Sequence, residues 1–592
     1  MKSIWRTLVE LFAVMPAGAK PFYIWYSIAT ALLSVLDTVA LGLIVLVVTP
    51  IASGKPVTLP VLGVMPASAT VWIAVAVCVL FILKGVLAVL LHWVATRRFA
   101  RYELQVGNAL FNAYTHASWE KRSQMSTAEV TRVVDVSMAN ANLGFILPIS
   151  QIPGNALTFI SVLTVLVLAQ PLTALLAFLY LASFSAVMIL VIGRRSRLAG
   201  KHTREYGYRV ATIMTEMVDA LKEVVLRGKL DEIGEVVSGT RRVATRARAN
   251  LSFLGIVPKY AFEAVLIGGF LLIGGAAYLT GGGPAALVSL SLFAATGFRM
   301  IPALNAIQGG LTNASANEVY ARDVIREMRD ASHAEGDVVE QPDTGKLPAA
   351  PSVLTLRDLR FRYPGAENEV LSGLSLSIPL GSSLAVVGPS GAGKSTLIDI
   401  LLGLSRPTGG ALEIDGVPLQ TVMQQWRARV GYVPQRVALF DSSIAQNVAL
   451  TWGDDYDEGR VLTALRQAHL EELIDRDRGI LAKLGERGAA VSGGQQQRLG
   501  IARALYSDPL VMVMDEATSS LDTATESKVT ASMRELHGEV TFVTVAHRLA
   551  TIRDYDQVCY LEDGRILGSG TFDEVVEQVP AFRIQAELAG LL

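Results

Sequence analysis

The sequence predicts two domains of different class, a helical membrane domain followed by an α/β domain. The chain has 592 residues, which is enough for several ordinary domains. Apolar residues make up 51% and charged residues 18%, against about 25% charged in an average soluble protein. Long apolar runs fill the sequence up to residue 312, and short apolar runs alternate with helical segments after residue 352. The first pattern is typical of membrane spans and the second of strands packed against helices.

Six apolar stretches, each near the roughly 20 residues that cross a bilayer, predict six transmembrane helices. They cover residues 22–50, 70–96, 144–169, 171–193, 251–279 and 284–312. Residues 169–171 and 281–284 are the only connections within the last two pairs, so both pairs should form tight hairpins. Before the first stretch, Glu10 and Pro16 interrupt a short apolar run. We therefore expect a cytosolic helix lying against the membrane there, rather than a cleavable signal peptide.

The distribution of charge predicts how these spans are oriented. Residues 97–143 and 194–250 form long polar connections rich in Lys and Arg, whereas the opposite connections carry only Lys55. By the positive-inside rule, the long connections, both termini and everything after residue 312 face the cytoplasm. Segment 51–70 contains three prolines, so we do not expect a regular helix there, and its role stays open. The net charge of -1 indicates no affinity for nucleic acid.

The boundary between the domains is predicted from a change in composition. Acidic residues and Pro342 replace the apolar pattern, and the Pro- and Ala-rich segment 346–351 follows. We expect a transmembrane domain at 1–328, a linker at 329–352 and an α/β domain at 353–592. The two cysteines, Cys78 and Cys559, have no spacing typical of a metal site or a disulfide framework.

A phosphate-binding loop is predicted in the second domain. The apolar run 384–387 predicts a buried strand, a glycine-rich loop follows, and a helical run begins at Thr396. Glycines let the loop backbone turn its amides towards phosphates, Lys394 neutralises phosphate oxygens, and Ser395 supplies a hydroxyl to Mg²⁺. The nucleotide-binding residues expected here are Gly388, Pro389, Ser390, Gly391, Ala392, Gly393, Lys394, Ser395 and Thr396.

Two further motifs complete the predicted chemistry. The strand 510–514 ends in Asp515 and Glu516, which places two carboxylates where parallel sheets carry out phosphate chemistry. We assign Asp515 to the Mg²⁺ shell and Glu516 to the attacking water. The glycine-rich turn 491–495 opens another helix, a signal that is weak alone.

With every motif in order over residues 353–592, the second domain resembles the ATP-binding cassette family. This resemblance implies that Tyr363 stacks on adenine, that Gln435 serves Mg²⁺ and coupling, and that His547 contacts the γ-phosphate. It assigns residues 520–522, ending in Asp522, to a loop that crosses the dimer. Val491 stands where the family usually has Leu, at a packing position. In this family the signature turn closes the nucleotide site of a second chain, and its residues here are Ser492, Gly493, Gly494 and Gln495.

The same resemblance implies the cofactors, the partner chain and the direction of transport. ATP and Mg²⁺ are the expected cofactors, with Ser395, Gln435 and Asp515 as the magnesium residues and Glu516, His547 and Gln435 as the catalytic ones. Because Glu516 and His547 are both present, we expect a homodimer with two competent sites rather than a heterodimer. Segment 484–488 is similar to the loop of exporters, so the membrane domain should be of the type IV exporter class.

Charged residues inside the spans are the only indication of cargo. Asp37, Lys84, Lys259, Glu263 and Arg299 lie in apolar stretches, where each costs about 2.5–3.5 kcal/mol. Such groups pair with one another, as Asp37 and Lys84 would, or they face a cavity. Arg299, Lys84 and Lys259 outnumber the acids and therefore suggest binding of phosphate groups.

The membrane domain also resembles bacterial lipid-linked oligosaccharide flippases, in the segments 34–38, 82–85, 257–263 and 298–305. This implies ATP-driven flipping of a polyprenyl-pyrophosphate glycan across the bacterial cytoplasmic membrane. The alternatives are a multidrug, lipid or peptide exporter. A cassette ATPase without transport, as in DNA repair or translation, is a different class that the six fused spans argue against.

Overall fold

The computed structural model describes residues 2–53, 57–59, 63–65, 69–124, 132–335, 343–517, 523–546 and 548–592. The chain divides into two compact units. The first unit comprises Met1–Ala117 and Gln124–Val338, and the second comprises Ser118–Ser123 and Val339–Leu592.

The first unit is almost entirely helical. Its helices are α1 (Lys2–Val14), α2 (Ala19–Ser53), α3 (Ala69–Thr115), α5 (Leu147–Ala169), α6 (Pro171–Asp219), α7 (Leu221–Leu226) and α8 (Leu230–Glu335); α4 (Trp119–Gln124) belongs mainly to the second unit. Two π-helical turns, Arg132–Ser137 and Asn140–Ile146, lead into α5. Gln170 alone, in an extended conformation, separates α5 from α6. The tight hairpin expected at this position is therefore present.

The long helix α8 contains the second expected turn. Gly282 has φ 72° and ψ -167°, so two helices meet there. Glycine tolerates this backbone region, which side chains with a Cβ almost never enter. In segment 51–70, the described residues Val57–Leu59 (β1) and Gly63–Met65 (β2) pair antiparallel, in line with the expectation of no regular helix.

Four helical segments in the described part of the chain are long and apolar enough to cross a membrane. They are Cys78–Thr115, Asp135–Ala169, Pro171–Asp219 and Leu230–Asp330. The fourth includes the break at Gly282, and the side chains of residues 37–53 in α2 lie outside the described set. A helical membrane region is thus present, while the count of six spans remains a prediction.

Buried ion pairs join three helical segments in the first unit. Asp323 of α8 is almost fully buried and pairs with Arg132 at 3.0 Å and with Arg204 of α6 at 2.8 Å. Glu318, one and a half turns earlier, pairs with Arg197 at 3.1 Å and accepts a hydrogen bond from Thr7 at 3.2 Å. A buried carboxylate left without its partners costs several kcal/mol, about 3–5, so these contacts fix the alignment of α1, α6 and α8.

The second unit is built on two sheets. Their strands are β3 (Val353–Phe361), β4 (Leu371–Pro379), β5 (Ser383–Val387), β6 (Gly409–Ile414), β7 (Val417–Pro418), β8 (Val430–Val433), β9 (Val511–Asp515), β10 (Thr541–Val545), β11 (Gln557–Glu562) and β12 (Arg565–Gly570). A four-stranded antiparallel sheet has the order β4-β3-β6-β7, and a six-stranded sheet has the order β12-β11-β5-β10-β9-β8. In the six-stranded sheet, the described strands β5, β8, β9, β10 and β11 are parallel to one another, and β12 pairs antiparallel with β11.

Helices cover the parallel sheet, whose central strands β9 and β10 are almost entirely buried and mainly apolar. They are α9 (Lys394–Leu401), α10 (Met423–Arg427), α11 (Ile444–Ala449), α12 (Glu458–Gln467), α13 (Glu471–Ile474), α14 (Gly493–Tyr506), α15 (Thr523–Glu535), α16 (Leu549–Ile552), α17 (Phe572–Gln578) and α18 (Pro580–Leu588). This arrangement brings the carboxyl ends of β5, β8, β9 and β10 to one edge of the sheet, which is where ligands bind in such folds.

Candidate nucleotide site

The loop between β5 and α9 has the backbone of a phosphate cradle. Gly388, Gly391 and Gly393 have φ values of 155°, 84° and 100°. A Cβ at Gly388 would lie 1.9 Å from the carbonyl oxygen of Leu561, so no larger residue fits there. Gly393 is the N-cap of α9 in the left-handed region, and Lys394 is the first helical residue. Amides and the positive end of the helix dipole therefore meet at this loop.

The Lys394 side chain folds back over the phosphate loop that precedes it. Its Nζ donates hydrogen bonds to the carbonyl oxygens of Gly388 at 2.7 Å and Pro389 at 2.9 Å. Burial lowers the pKa of Lys394, and the nearby carboxylates of Glu516 and Asp515 counteract that effect. The loop thus holds its cation close to the two acidic residues predicted from the sequence.

The acidic pair stands at the end of β9, as predicted. Asp515 is the last residue of the strand, and Glu516 follows with φ 50°, in the left-handed region. The amide of Glu516 donates to the carbonyl oxygen of Val545 at 3.2 Å, which ties it to the neighbouring strand β10. The Nε2 of Gln435, two residues beyond β8, donates to Oε2 of Glu516 at 2.8 Å. The structure therefore brings together Gln435, Asp515, Glu516 and Lys394, which are up to 122 positions apart in the sequence, from 394 to 516.

Tyr363 reaches the start of α9 through its hydroxyl. The Tyr363 hydroxyl and the Thr396 hydroxyl are 3.1 Å apart, and its ring stands edge-on to Phe361 at 4.9 Å. The ring is partly buried against the hydrophobic cluster that contains Phe361, Leu371 and Leu397. The predicted adenine-stacking residue is thus positioned beside the phosphate loop, and stacking itself stays a prediction.

The signature turn forms the beginning of α14. The Ser492 hydroxyl accepts a hydrogen bond from the amide of Gln495 at 3.3 Å, and the Gln495 side chain accepts one from the Ser492 amide at 3.0 Å. This capping box leaves Ser492 and Gly493 exposed at the positive end of a 14-residue helix. Val491 packs against the hydrophobic cluster that contains Leu439, Leu484 and Leu499, as expected for a packing position.

No hydrogen bond or ion pair between described residues joins the turn 492–495 to the phosphate loop 388–396. Predicted site residues 520–522 and His547 lie outside the described residues, so their roles stay predictions.

The donor set fits Mg²⁺ by its chemistry. Ser395, Gln435 and Asp515 offer a hydroxyl, an amide carbonyl and a carboxylate, and oxygen ligands of this kind are the ones that Mg²⁺ prefers. Ser395 is exposed on the first turn of α9, and Gln435 and Asp515 lie at the adjacent ends of β8 and β9.

A further acidic group near this site was not predicted from the sequence. Asp399 lies on α9, and Trp119 of α4, which the second unit includes, forms a side-chain hydrogen bond with it. Burial is the main cause that raises the pKa of Asp399 to about 6, and the negative charges of Glu120 and Asp515 raise it as well. The hydrogen bond with Trp119 acts in the opposite direction and lowers the pKa. A lone Trp among the charges of segment 118–122 was the available signal.

The cations proposed for cargo binding occupy different surroundings in the first unit. Lys84 and Arg299 are half-buried, and each already has a partner within the chain. Lys259 is exposed, with its Nζ 5.6 Å from the ring centroid of Tyr260, and Glu263 is exposed as well. The side chain of Asp37 lies outside the described residues.

The fold and this arrangement define an ATP-binding cassette fused to a helical membrane region. The ABC transporter family model matches residues 371–519. A β-(1→2)-glucan export ATP-binding/permease protein of Rhodopseudomonas palustris is 31% identical over 415 residues, which cover 69% of this chain and 68% of that protein. This chain therefore belongs to the ABC transporter family.

Further comparisons cover different lengths. The ATP-dependent lipid A-core flippase of Vibrio vulnificus is 36% identical over 250 residues, 42% of this chain and 43% of that protein. The chain thus spans less than half the length of the first curated relatives it matches. A bacterial Atm1-family ABC exporter solved with ATP bound superposes with a TM-score of 0.71 at 22% identity, over 97% of this chain and 99% of that one. That likeness shows the fold of an ABC exporter.

Proposed function

We propose that two copies of this chain form an exporter with six spans per copy, which hydrolyses ATP and moves a lipid-linked glycan to the outer leaflet. The observation that carries the ATPase proposal is the convergence of Lys394, Asp515, Glu516 and Gln435 at one edge of the sheet. The similarity to a lipid A-core flippase and a glucan exporter supports an amphiphilic saccharide as cargo.

The phosphate loop would bind the triphosphate before any chemistry occurs. Amides of residues 388–393 and the start of α9 provide positive potential, and Lys394 would exchange its two carbonyl partners for phosphate oxygens. A charged acceptor is the stronger partner for an ammonium, so this exchange is favourable. Tyr363 would hold the base beside Thr396.

Glu516 would act as the base that orients the attacking water. Its carboxylate is held at 2.8 Å by Gln435, so a movement of the loop after β8 changes the position of the base. Mg²⁺, held by Ser395, Gln435 and Asp515, would neutralise charge that develops on the phosphates. His547, whose role is implied by the resemblance to the ATP-binding cassette family, would contact the γ-phosphate.

A second copy is needed in this proposal because Ser492 and Gly493 are exposed at the beginning of α14, and no hydrogen bond between described residues joins this turn to its own phosphate loop. Ser492, Gly493, Gly494 and Gln495 would close the nucleotide site of the partner chain. In this arrangement both sites would contain Glu516 and would be competent for hydrolysis.

The proposed cargo site lies in the membrane domain at Arg299, with Lys84 and Lys259. Because Arg299 and Lys84 have partners within the chain, cargo phosphates would have to replace those partners. A guanidinium binds phosphate in a bidentate manner, which favours Arg299 as the principal contact. The orientation in the bacterial cytoplasmic membrane follows from the basic connections alone.

Transport in proteoliposomes tests this function. The purified chain, reconstituted with fluorescent polyprenyl-pyrophosphate glycans, should move them to the opposite leaflet only with ATP, and these substrates should stimulate hydrolysis. Glu516→Gln serves as the inactive control. Stimulation by drugs or peptides and not by any glycan carrier would replace this cargo with that of a multidrug or peptide exporter. ATP hydrolysis insensitive to every membrane solute would favour a cassette ATPase without transport.

A further inference from the structure

The first unit contains an apolar cavity of about 600 Å³ beside its amino-terminal helix. Helix α1 forms one wall, the first third of α2 a second, and the beginning of α5 a third. Trp5 and Ile28 line it from α1 and α2, and they are 67% and 55% exposed. A cavity lined in this way and open at its side has large apolar groups without protein cover, in a chain that spans a membrane.

The three hydroxyl groups that line the cavity already form hydrogen bonds within the protein. The Tyr23 hydroxyl donates to Asn142 at 2.6 Å, and the Ser27 hydroxyl donates to the carbonyl oxygen of Ser150 at 2.8 Å. The Ser150 hydroxyl in turn donates to the Ile146 carbonyl oxygen at 2.9 Å. Water needs two or more polar partners in a cavity, and these groups offer few. The expected occupant is therefore apolar.

Among the described residues, Lys20 is the one charged side chain that lines the cavity. It is exposed at the beginning of α2, and within the described residues no carboxylate forms an ion pair with it. From Lys20 to Ala31, the last lining residue on α2, the helix rises by about 16 Å. One leaflet of a bilayer has a hydrocarbon thickness of about 15 Å. The cavity thus has the length of one acyl chain, with a cation at one end.

We propose that this cavity is a binding site for an anionic phospholipid, with an acyl chain between α1, α2 and α5 and the phosphate at Lys20. The bound lipid would stabilise the position of α1 against the membrane unit. The site is distinct from the proposed cargo cations, and its assignment to the cytoplasmic leaflet alone rests on the proposed orientation. A second copy of the chain is the competing occupant. Binding of a second copy would not explain why Lys20 lies at one end of a cavity that has the length of one leaflet.

Photochemical labelling tests this site without ATP or cargo. Benzoylphenylalanine replaces Ile28, and the chain is irradiated in nanodiscs of equal parts phosphatidylglycerol and phosphatidylcholine. Intact-mass measurement should show lipid adducts enriched in phosphatidylglycerol. Lys20→Gln should reduce that enrichment about five-fold, since one cation near an anionic headgroup contributes about 1 kcal/mol. Lys2→Gln, on α1 but not lining the cavity, should leave the enrichment unchanged.

Filling the cavity provides an independent measurement. Ala31→Phe should lower the yield of all lipid adducts, whereas Ala76→Phe, exposed on α3 and away from the cavity, should not. Ala13→Phe fills the site from α1 if the first variant does not fold. Adducts between two protein chains in place of lipid, equal enrichment in both lysine variants, or full labelling of the filled variants would each overturn the proposal. None of these outcomes depends on transport or ATP hydrolysis.

Discussion

Glu516 carries the carboxylate proposed as the catalytic base, and its backbone conformation is unusual. Its φ of 50° places a non-glycine residue in the left-handed region, at a cost of about 1–3 kcal/mol. The amide bond to Val545 and the side-chain bond from Gln435 hold it there. Strain of this kind clusters at functional sites, which supports the assignment of Glu516 as the base.

Glu516→Gln should bind ATP normally and lose hydrolysis. An amide keeps the size of the side chain but cannot polarise water, so turnover should fall by about 100-fold or more. Nucleotide binding by fluorescence titration and phosphate release are the two measurements. Asp508→Asn, at another left-handed position outside the site, is the matched control and should keep wild-type turnover. A Gln variant retaining more than about a tenth of the activity would remove Glu516 from this role.

Asp399 should make the stability of the second unit depend on pH. Its pKa is raised to about 6 in the folded chain, above the ordinary 3.8, so the folded state binds more protons between these values. Stability from this group is therefore full at low pH and is lost as the pH rises through about 6. Asp399→Asn should raise the melting temperature more at pH 7.5 than at pH 5.

The control for this pH effect is Asp358→Asn, at an exposed carboxylate of β3. Its effect on the melting temperature should be the same at both pH values. An Asp399→Asn variant whose stability gain is equal at pH 5 and pH 7.5 would show that the carboxylate does not titrate in this range.

The residues of the phosphate loop and the acidic pair could be predicted because they are contiguous in the sequence. Gly388 to Ser395 form one motif, and Asp515 and Glu516 directly follow a strand. The bond between Gln435 and Glu516 and the raised pKa of Asp399 arise from the order of strands and from burial. Neither can be read from a local pattern, because the residues that create them are remote in the sequence.

At the scale of elements, the turn at Gly282 separates two helices of the membrane unit. Gly282→Ala should lower the melting temperature of the purified chain, because φ 72° with ψ -167° is a region nearly closed to residues with a Cβ. The free energy of unfolding should fall by about 1–3 kcal/mol. Gly283→Ala is the control, since Gly283 has no positive φ and a Cβ there would meet open space. Equal melting temperatures for the two variants would contradict the claim that the turn requires glycine at position 282.

The elements themselves followed from periodicity where it was strong. The apolar stretches 70–96, 144–169 and 171–193 fall within helices of the structure, and the turns at Gln170 and Gly282 lie where expected. The helix ends extend well past the apolar stretches, as α3 does to Thr115. Polar residues there are paired by tertiary contacts, such as Asp323 with Arg204, that hydropathy does not reveal.

At the scale of the whole molecule, we proposed a composite site, in which the phosphate loop of one copy is closed by the signature turn of the other. This proposal predicts complementation between two inactive chains. Lys394→Ala should weaken ATP binding, because it removes the cation facing the phosphates. Ser492→Arg should block closure of the partner's site. A mixed dimer carries both lesions at one nucleotide site and none at the other, so it should recover hydrolysis that neither parent shows. Ser507→Arg, at the opposite end of α14, is the control and should leave hydrolysis intact.

The outcome of mixing is measured on purified heterodimers carrying different affinity tags. Recovered phosphate release supports the composite site, and full hydrolysis by an isolated monomer would refute it.

The cargo proposal is tested at Arg299, which is half-buried in the membrane unit and has a partner within the chain. Arg299→Ala should abolish glycan flipping and cargo-stimulated hydrolysis while basal hydrolysis persists, because the phosphate contact is lost and the nucleotide site is unchanged. Arg299→Lys should recover only part of the flipping, since an ammonium cannot make the bidentate contact.

A purely structural role for Arg299 gives a different pattern of stability. If Arg299 only pairs with a carboxylate such as Glu263, Arg299→Met should lower the melting temperature, and adding Glu263→Leu should restore it. Lys222→Met, at an exposed cation of α7 that the cargo proposal does not use, measures the general effect of removing a charge. Normal flipping by the Arg299→Met, Glu263→Leu double variant would end the proposal that Arg299 binds cargo.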